Sequence, residues 1–180
     1  MKKLIVILMA IVMVAGISTR IMAQNNAKAL NVPVGATIVP ILAIANDQNL
    51  EFGTMSVPSG PVNLVLATDK SRTPDVAGNI ALIADALNPV LNAHYNVTGS
   101  TNYTYAITLP ADNTVTITSG SNTMKVDAFT AKSKNTGVDG IQGKLSGGVD
   151  EITVGATLKL ATLQPAGVYE GHFDVTIFYN

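Results

Sequence analysis

From residue 173 onward, apolar and polar positions alternate. Phe173, Val175, Ile177 and Tyr179 share one parity, Asp174 and Thr176 the other, and Phe178 is the one apolar exception. Alternation at period two with β-branched and aromatic side chains predicts a half-buried strand. Phe178 implies a second face that is not wholly wet, and Ile177 is expected to be a core position. One residue follows Tyr179 in the sequence. The strand is therefore expected to be internal and closed by earlier segments, or an edge that something else covers.

A second alternation lies near the other end. Leu30, Val32, Val34, Ala36 and Ile38 share a parity, with Pro33 and Gly35 on the opposite one. An extended segment would present these five apolar side chains to one face. Two placements stay open. It is the first strand of its own domain, or it is an arm: residues 24–37 reach about 45 Å when extended, enough to lie in a neighbour's groove.

Between these ends the pattern is β throughout. Residues 37–44 read as a strand with Pro40 at a bulge or edge, and Asn46-Asp47-Gln48-Asn49 as a turn. Strands are expected at 50–52, 62–67, 93–98, 103–109, 114–118, 124–129, 143–145, 151–154 and 157–161. Residues 80–91 are ambiguous between helical spacing and a short strand at 80–83 followed by a loop or one helical turn. Many short strands with turn signals every 8–12 residues or so indicate a sandwich or barrel. No linker or shift of composition divides them, so one domain is expected.

The beginning of the chain has a different character. Lys2 and Lys3 precede an apolar run at 4–17, then Ser18-Thr19-Arg20 and Ala23. A basic start, a run of this length and a small residue at its end predict a secretory signal peptide over 1–23, cleaved after Ala23. The run is shorter than the roughly 20 apolar residues that span a bilayer as a helix, so no transmembrane span is expected after its removal. The expected organisation is signal peptide 1–23, N-terminal extension 24–36 and β-domain 37–180. Losing Lys2, Lys3 and Arg20 takes the net charge from −1 to −4. Little basic surface remains to neutralise phosphates, which argues against nucleic acid as a partner. Cysteine is absent, which excludes thiol chemistry and disulfides and leaves stability to packing and sheet hydrogen bonds.

Candidate chemistry is sparse. His94 and His172 are the only histidines; no metal-site or protease spacing joins them to a carboxylate, and both are expected as surface strand residues. Asp150-Glu151 follows Gly147-Gly148 and reads as a solvated turn. No G-x-S-x-G elbow occurs. Tyr95, Tyr103 and Tyr105 suit cross-strand packing better than an exposed glycan platform. The expectation is no catalytic residue, no cofactor and no metal, hence no enzyme.

Six blocks carry a resemblance. They are Pro40-Ile41 with Leu50-Glu51-Phe52-Gly53; Tyr95-Asn96-Val97-Thr98-Gly99; Tyr105 to Pro110; Met124 to Phe129; Val154 to Leu158; and Gly167 to Asn180. In this order they resemble a secreted bacterial family known only as a domain of unknown function, itself similar to spore-coat-U-like proteins and archaic chaperone–usher pilins. The resemblance implies an immunoglobulin-like, pilin-like β-sandwich that lacks a final strand. In such pilins a Gly, alternating apolar residues and a penultimate Tyr mark the terminal assembly strand. Here these fall on Gly167, on Phe173, Val175 and Ile177, and on Tyr179. Many pilins also carry an early disulfide, which this chain cannot form. Leu30, Val32, Val34 and Ala36 are the donor-strand candidates. The function so implied is a structural subunit of a fimbria or similar surface appendage, exported through the periplasm to the cell surface. It would self-assemble with identical or related subunits, served by a periplasmic chaperone and an outer-membrane usher. A monomeric secreted or cell-surface binding module, for example for glycans, is the alternative.

Overall fold

The computed structural model describes residues 32–180; the expected signal peptide and Leu30 lie outside the described residues. Residues 38–180 form one compact unit. Its strands are β1 (Ala43–Gln48), β2 (Val62–Leu66), β3 (Arg72–Pro74), β4 (Ala93–Thr98), β5 (Thr104–Thr108), β6 (Val115–Ser119), β7 (Asn122–Ser133), β8 (Gln142–Lys144), β9 (Val149–Leu160) and β10 (Thr176–Tyr179). The one helical piece among the described residues is a single 3-10 turn, Ala77–Asn79. The fold is all-β, with every strand pair antiparallel, and its two sheets make a β-sandwich.

The long strand β9 organises the larger sheet. Its first half pairs with β4 and its second half with β2. β7 runs along the opposite edge, because it shares β9 residues 152–154 with β4 and 157–159 with β2. β1 closes the sheet beyond β4, β3 beyond β2, and β6 beyond β7. The smaller sheet has the order β10-β5-β8.

Alternation decides which side chains face inward. In β2, Val62, Leu64 and Leu66 are buried while Asn63 and Val65 are exposed. The buried residues form two clusters. One gathers Val62, Leu64, Leu66, Val115, Val126 and Leu158 with Phe52 and Ile80. The other gathers Tyr95, Val97, Tyr105, Ile107, Leu145, Ile152 and Val154. Leu50, Phe129 and Phe173 pack against both clusters and make them one core.

Three local expectations are corrected. Asn46-Asp47-Gln48 is not a turn; it belongs to β1, which pairs on through it with a register shift at Asp47. The extra residue of the bulge takes up the polar run without ending the strand. Residues 80–83 contribute only a single bridge, Met55 to Leu82. Asp150 is no solvated turn residue: it lies in β9 and is 5% exposed. Its carboxylate accepts from the Tyr105 hydroxyl at 2.8 Å, the Ser133 hydroxyl at 2.5 Å and the Asn135 backbone N–H at 3.1 Å. Such full satisfaction is what allows a charge to be buried. Tyr105 fits over this carboxylate because Gly143 is opposite it: a Cβ there would stand 2.1 Å from the tyrosine Cζ.

Candidate functional site: an open flank between two edge strands

The second core cluster is sealed in its middle and open at one side. Val97, Tyr105, Ile152 and Val154 are fully buried, whereas Leu42, Ile44, Val175, Ile177 and Tyr179, packed on the same cluster, are only half-buried. Leu42 leads into β1, Ile44 lies in it, and Val175, Ile177 and Tyr179 belong to the β10 segment. β1 is the edge of the larger sheet and β10 the edge of the smaller. The core therefore shows a strip of apolar surface where both sheets end.

Backbone hydrogen bonding adds to this. The Asn180 N–H donates to the Thr104 carbonyl, and the β10–β5 register pairs Thr176 with Thr108 and Phe178 with Ala106. In an antiparallel ladder directly opposed residues alternate between exchanging both hydrogen bonds and exchanging none. Asn180, Phe178 and Thr176 thus bond to β5, and Ile177 and Tyr179 turn their N–H and C=O groups the other way. No strand among the described residues pairs with that side. The same residues that half-bury their side chains present free donors and acceptors, the combination that accepts an added strand.

Tyr179 fixes the end of the flank. Its hydroxyl accepts from the Ser100 N–H at 2.6 Å and donates to the Pro40 carbonyl at 3.1 Å. Its ring meets Tyr103 edge-on, 5.6 Å between centroids. Gly99 makes room for this, since a Cβ there would lie 2.4 Å from the Tyr179 hydroxyl and 3.1 Å from Leu42 Cδ1.

The other residues singled out in the sequence fall as follows. Gly167 lies before the strand, against the Ser119 side chain. Glu170 bridges to Thr118 of β6, after which the chain crosses to the smaller sheet. Strand pairing begins only at Thr176, but the alternation expected from Phe173 onward holds: Phe173, Val175, Ile177 and Tyr179 are half-buried, their neighbours exposed. Val32, Val34 and Ala36 are exposed and in no regular structure. Val34 is 96% exposed, and Ile38 and Ile41 are 95% and 86% exposed. Leu42 and Ile44 were not singled out as site residues. They continue the even parity of Leu30 to Ile38 beyond Pro40, which is the signal that could have identified them.

A row of polar side chains crosses the outer face of the larger sheet beside β1. The bulge at Asp47 aims its carboxylate at His94 of β4, 2.5 Å from Nδ1, and Asn96 donates to the other oxygen at 2.8 Å. His94 Nε2 is 3.3 Å from Glu151 of β9, whose second oxygen accepts from Lys134 at 2.5 Å. The hydrogen bond with His94 is the main cause holding the Asp47 carboxyl below its ordinary value. Lys134, and then His94, do the same for Glu151. The row borders a shallow cleft of about 470 Å³ lined by Gln48, Asp69, Lys70, Asn92 and His94 among others. Among the described residues no group of three or more His, Cys, Asp and Glu side chains converges as metal ligands would.

Residues 42–179 match the model of a family described as a domain of unknown function, DUF4402. No curated protein and no solved structure matches the chain.

Proposed function

We propose, from the premise that this chain belongs to the DUF4402 family, that it is an exported structural subunit of a fimbria or similar surface appendage, assembled by β-strand addition. The observation that carries the reading is the open flank. Half-buried Val175, Ile177 and Tyr179 coincide there with outward-facing N–H and C=O groups at Ile177 and Tyr179. The exposed apolar residues Val32, Val34 and Ala36 offer a segment with matching alternation. An extended strand from another subunit would cover the strip and satisfy the free backbone groups at once. A periplasmic chaperone would hold the flank until a subunit replaces it, and an outer-membrane usher would deliver the product to the surface.

Pro33 indicates how the strand would lie. With Val32, Val34 and Ala36 facing the core, an antiparallel strand points their own N–H groups at β10 and those of Asn31, Pro33 and Gly35 away. The missing N–H of Pro33 then costs no bond to β10. A parallel strand would need it.

The test is to delete residues 24–34 and to compare the purified variant with its parent. The expected result is a folded monomer that no longer assembles yet still binds a synthetic peptide of residues 28–41. A variant that assembles like the parent overturns the reading. The cleft beside His94 favours a second reading, a monomeric binding module for glycans, whose polar hydroxyls such side chains suit. Binding of a glycan that His94→Ala abolishes, in a protein that stays monomeric, would establish it instead.

A further inference from the structure

The bulge at Asp47 gives edge strand β1 an attachment beyond its backbone ladder. Asp47 contributes no ordinary rung, since Asn46 pairs with Tyr95 and Gln48 with His94. Its side chain instead meets the His94 ring, whose other nitrogen faces Glu151. The imidazole thus sits between two carboxylates, with its side chain 23% exposed. A neutral imidazole has one N–H and one lone pair, whereas imidazolium has two N–H donors. Two carboxylates are two acceptors. Only the charged ring serves both; the neutral ring sets a lone pair against one carboxylate. We propose that His94 is a proton-operated latch that ties β1 to β4 and β9, holding this edge strand more firmly when the ring is charged.

The surroundings name what else acts on the ring. Asp47 faces it from β1 and Glu151 from β9, the latter shared with Lys134 beyond the end of β7. Asp69 and Lys70, in the β2–β3 turn, line the same cleft. Thr153 lies opposite in register and carries no charge. The sign follows: an attachment made by the charged ring is present at low pH and is lost as pH rises and the ring gives up its proton. Histidine normally makes this change between about pH 5 and 8. Because β1 walls the open flank, the latch also sets how firm that wall is. This consequence rests on the assembly reading; the latch itself does not.

Hydrogen exchange on the purified, unassembled protein tests it. Protection of the β1 amides, corrected for the intrinsic exchange rate and referred to β5 amides, is compared at about pH 5 and about pH 8. The expected fall on raising the pH is about tenfold, what losing one charged hydrogen bond gives. In His94→Gln, which does not titrate, the fall should vanish. If that variant does not fold, Asp47→Asn should shrink the fall. A wild-type protein with no fall, or a fall that either folded variant keeps in full, overturns the latch. Binding of the residue 28–41 peptide is read separately. Its failure would sink strand addition and leave the exchange result standing.

Discussion

The rings of Phe129 and Phe173 lie 4.9 Å apart at 42° and join the two halves of the core. Phe129 stands within the bulge of β7, between Asp127 and Thr130; Phe173 stands where the chain crosses from β6 to β5. Both touch both clusters. Phe173→Ala should therefore reach beyond the β10 segment, lowering stability by about 2–3 kcal/mol, below the range for fully buried phenylalanine because its site is half open. A double-mutant cycle with Phe129→Ala should show coupling of about 0.5–1.5 kcal/mol by urea denaturation. Strict additivity would mean that the ring contact contributes nothing.

The buried Tyr105–Asp150 pair predicts behaviour in alkali. Burial first, then the bond to Asp150, pushes the Tyr105 phenol far above its ordinary value. The folded protein keeps that proton while the unfolded chain releases it near pH 10. The stability concerned is present below about pH 10 and is lost as pH rises beyond it. Tyr105→Phe should remove this alkaline slope in denaturation at stepped pH. At neutral pH it should cost about 1–3 kcal/mol, because Asp150 loses a donor.

Acid acts through a different residue. Asp127, at the β7 bulge, pairs with Lys159 and accepts from the N–H groups of Asn113 and Ala128. These partners, Lys159 first, hold its carboxyl well below the usual range. The folded state thus keeps it ionised where the unfolded chain takes up a proton. Its contribution is complete above the ordinary carboxylate pKa and disappears as pH falls below it. Asp127→Asn should flatten the acid limb of the stability curve. An unchanged limb would assign acid sensitivity to other carboxylates.

Ile177→Asp separates the sequence pattern from the structure. Parity places Ile177 on the inner face, and a core position would not tolerate a charge. Ile177 packs on the second cluster yet is only half-buried, so the new carboxylate can turn toward the open flank. The expected result is a folded protein weakened by about 1–3 kcal/mol, with the residue 28–41 peptide no longer bound. Unfolding outright would mean that the flank is closed.

How much was legible in advance follows from these residues. Period two gave most of the strands, because each sheet buries one face and leaves the other wet; it missed β3, and where it placed strands at 37–42 and 50–52 only a bridge at Glu51 forms. It could not give partners. Nothing within six residues of His94 signals Asp47 or Glu151, since the bulge and the β1-β4-β9 order bring them together. Asp150 reads as a solvated turn because two glycines precede it and three of its donors, Tyr105, Ser133 and Asn135, lie elsewhere in the chain. The inward parity of the last strand was visible. That it stays half-covered depends on where both sheets end, which alternation does not encode.

The orientation of an added strand can be read one amide at a time. N-methylation of a synthetic peptide of residues 28–41 removes single N–H donors and keeps each side chain. Ile177 and Tyr179 offer the free backbone groups of β10. An antiparallel strand with its even residues inward meets them with the N–H groups of Val32, Val34 and Ala36. Ile177 and Tyr179 supply two carbonyls, so methylation at the two of these three that oppose them should each weaken binding about five- to tenfold, the loss of one hydrogen bond, and the third should be tolerant. Methylation at Asn31 or Gly35 should have little effect, and Pro33→Ala should gain nothing. A parallel strand moves the sensitivity to the odd residues: Val32, Val34 and Ala36 become tolerant, one of Asn31 and Gly35 becomes sensitive, and Pro33→Ala tightens binding by restoring a donor. Isothermal titration against the purified protein lacking residues 24–34 distinguishes the two, and sensitivity at neither set would show that the peptide does not extend the sheet.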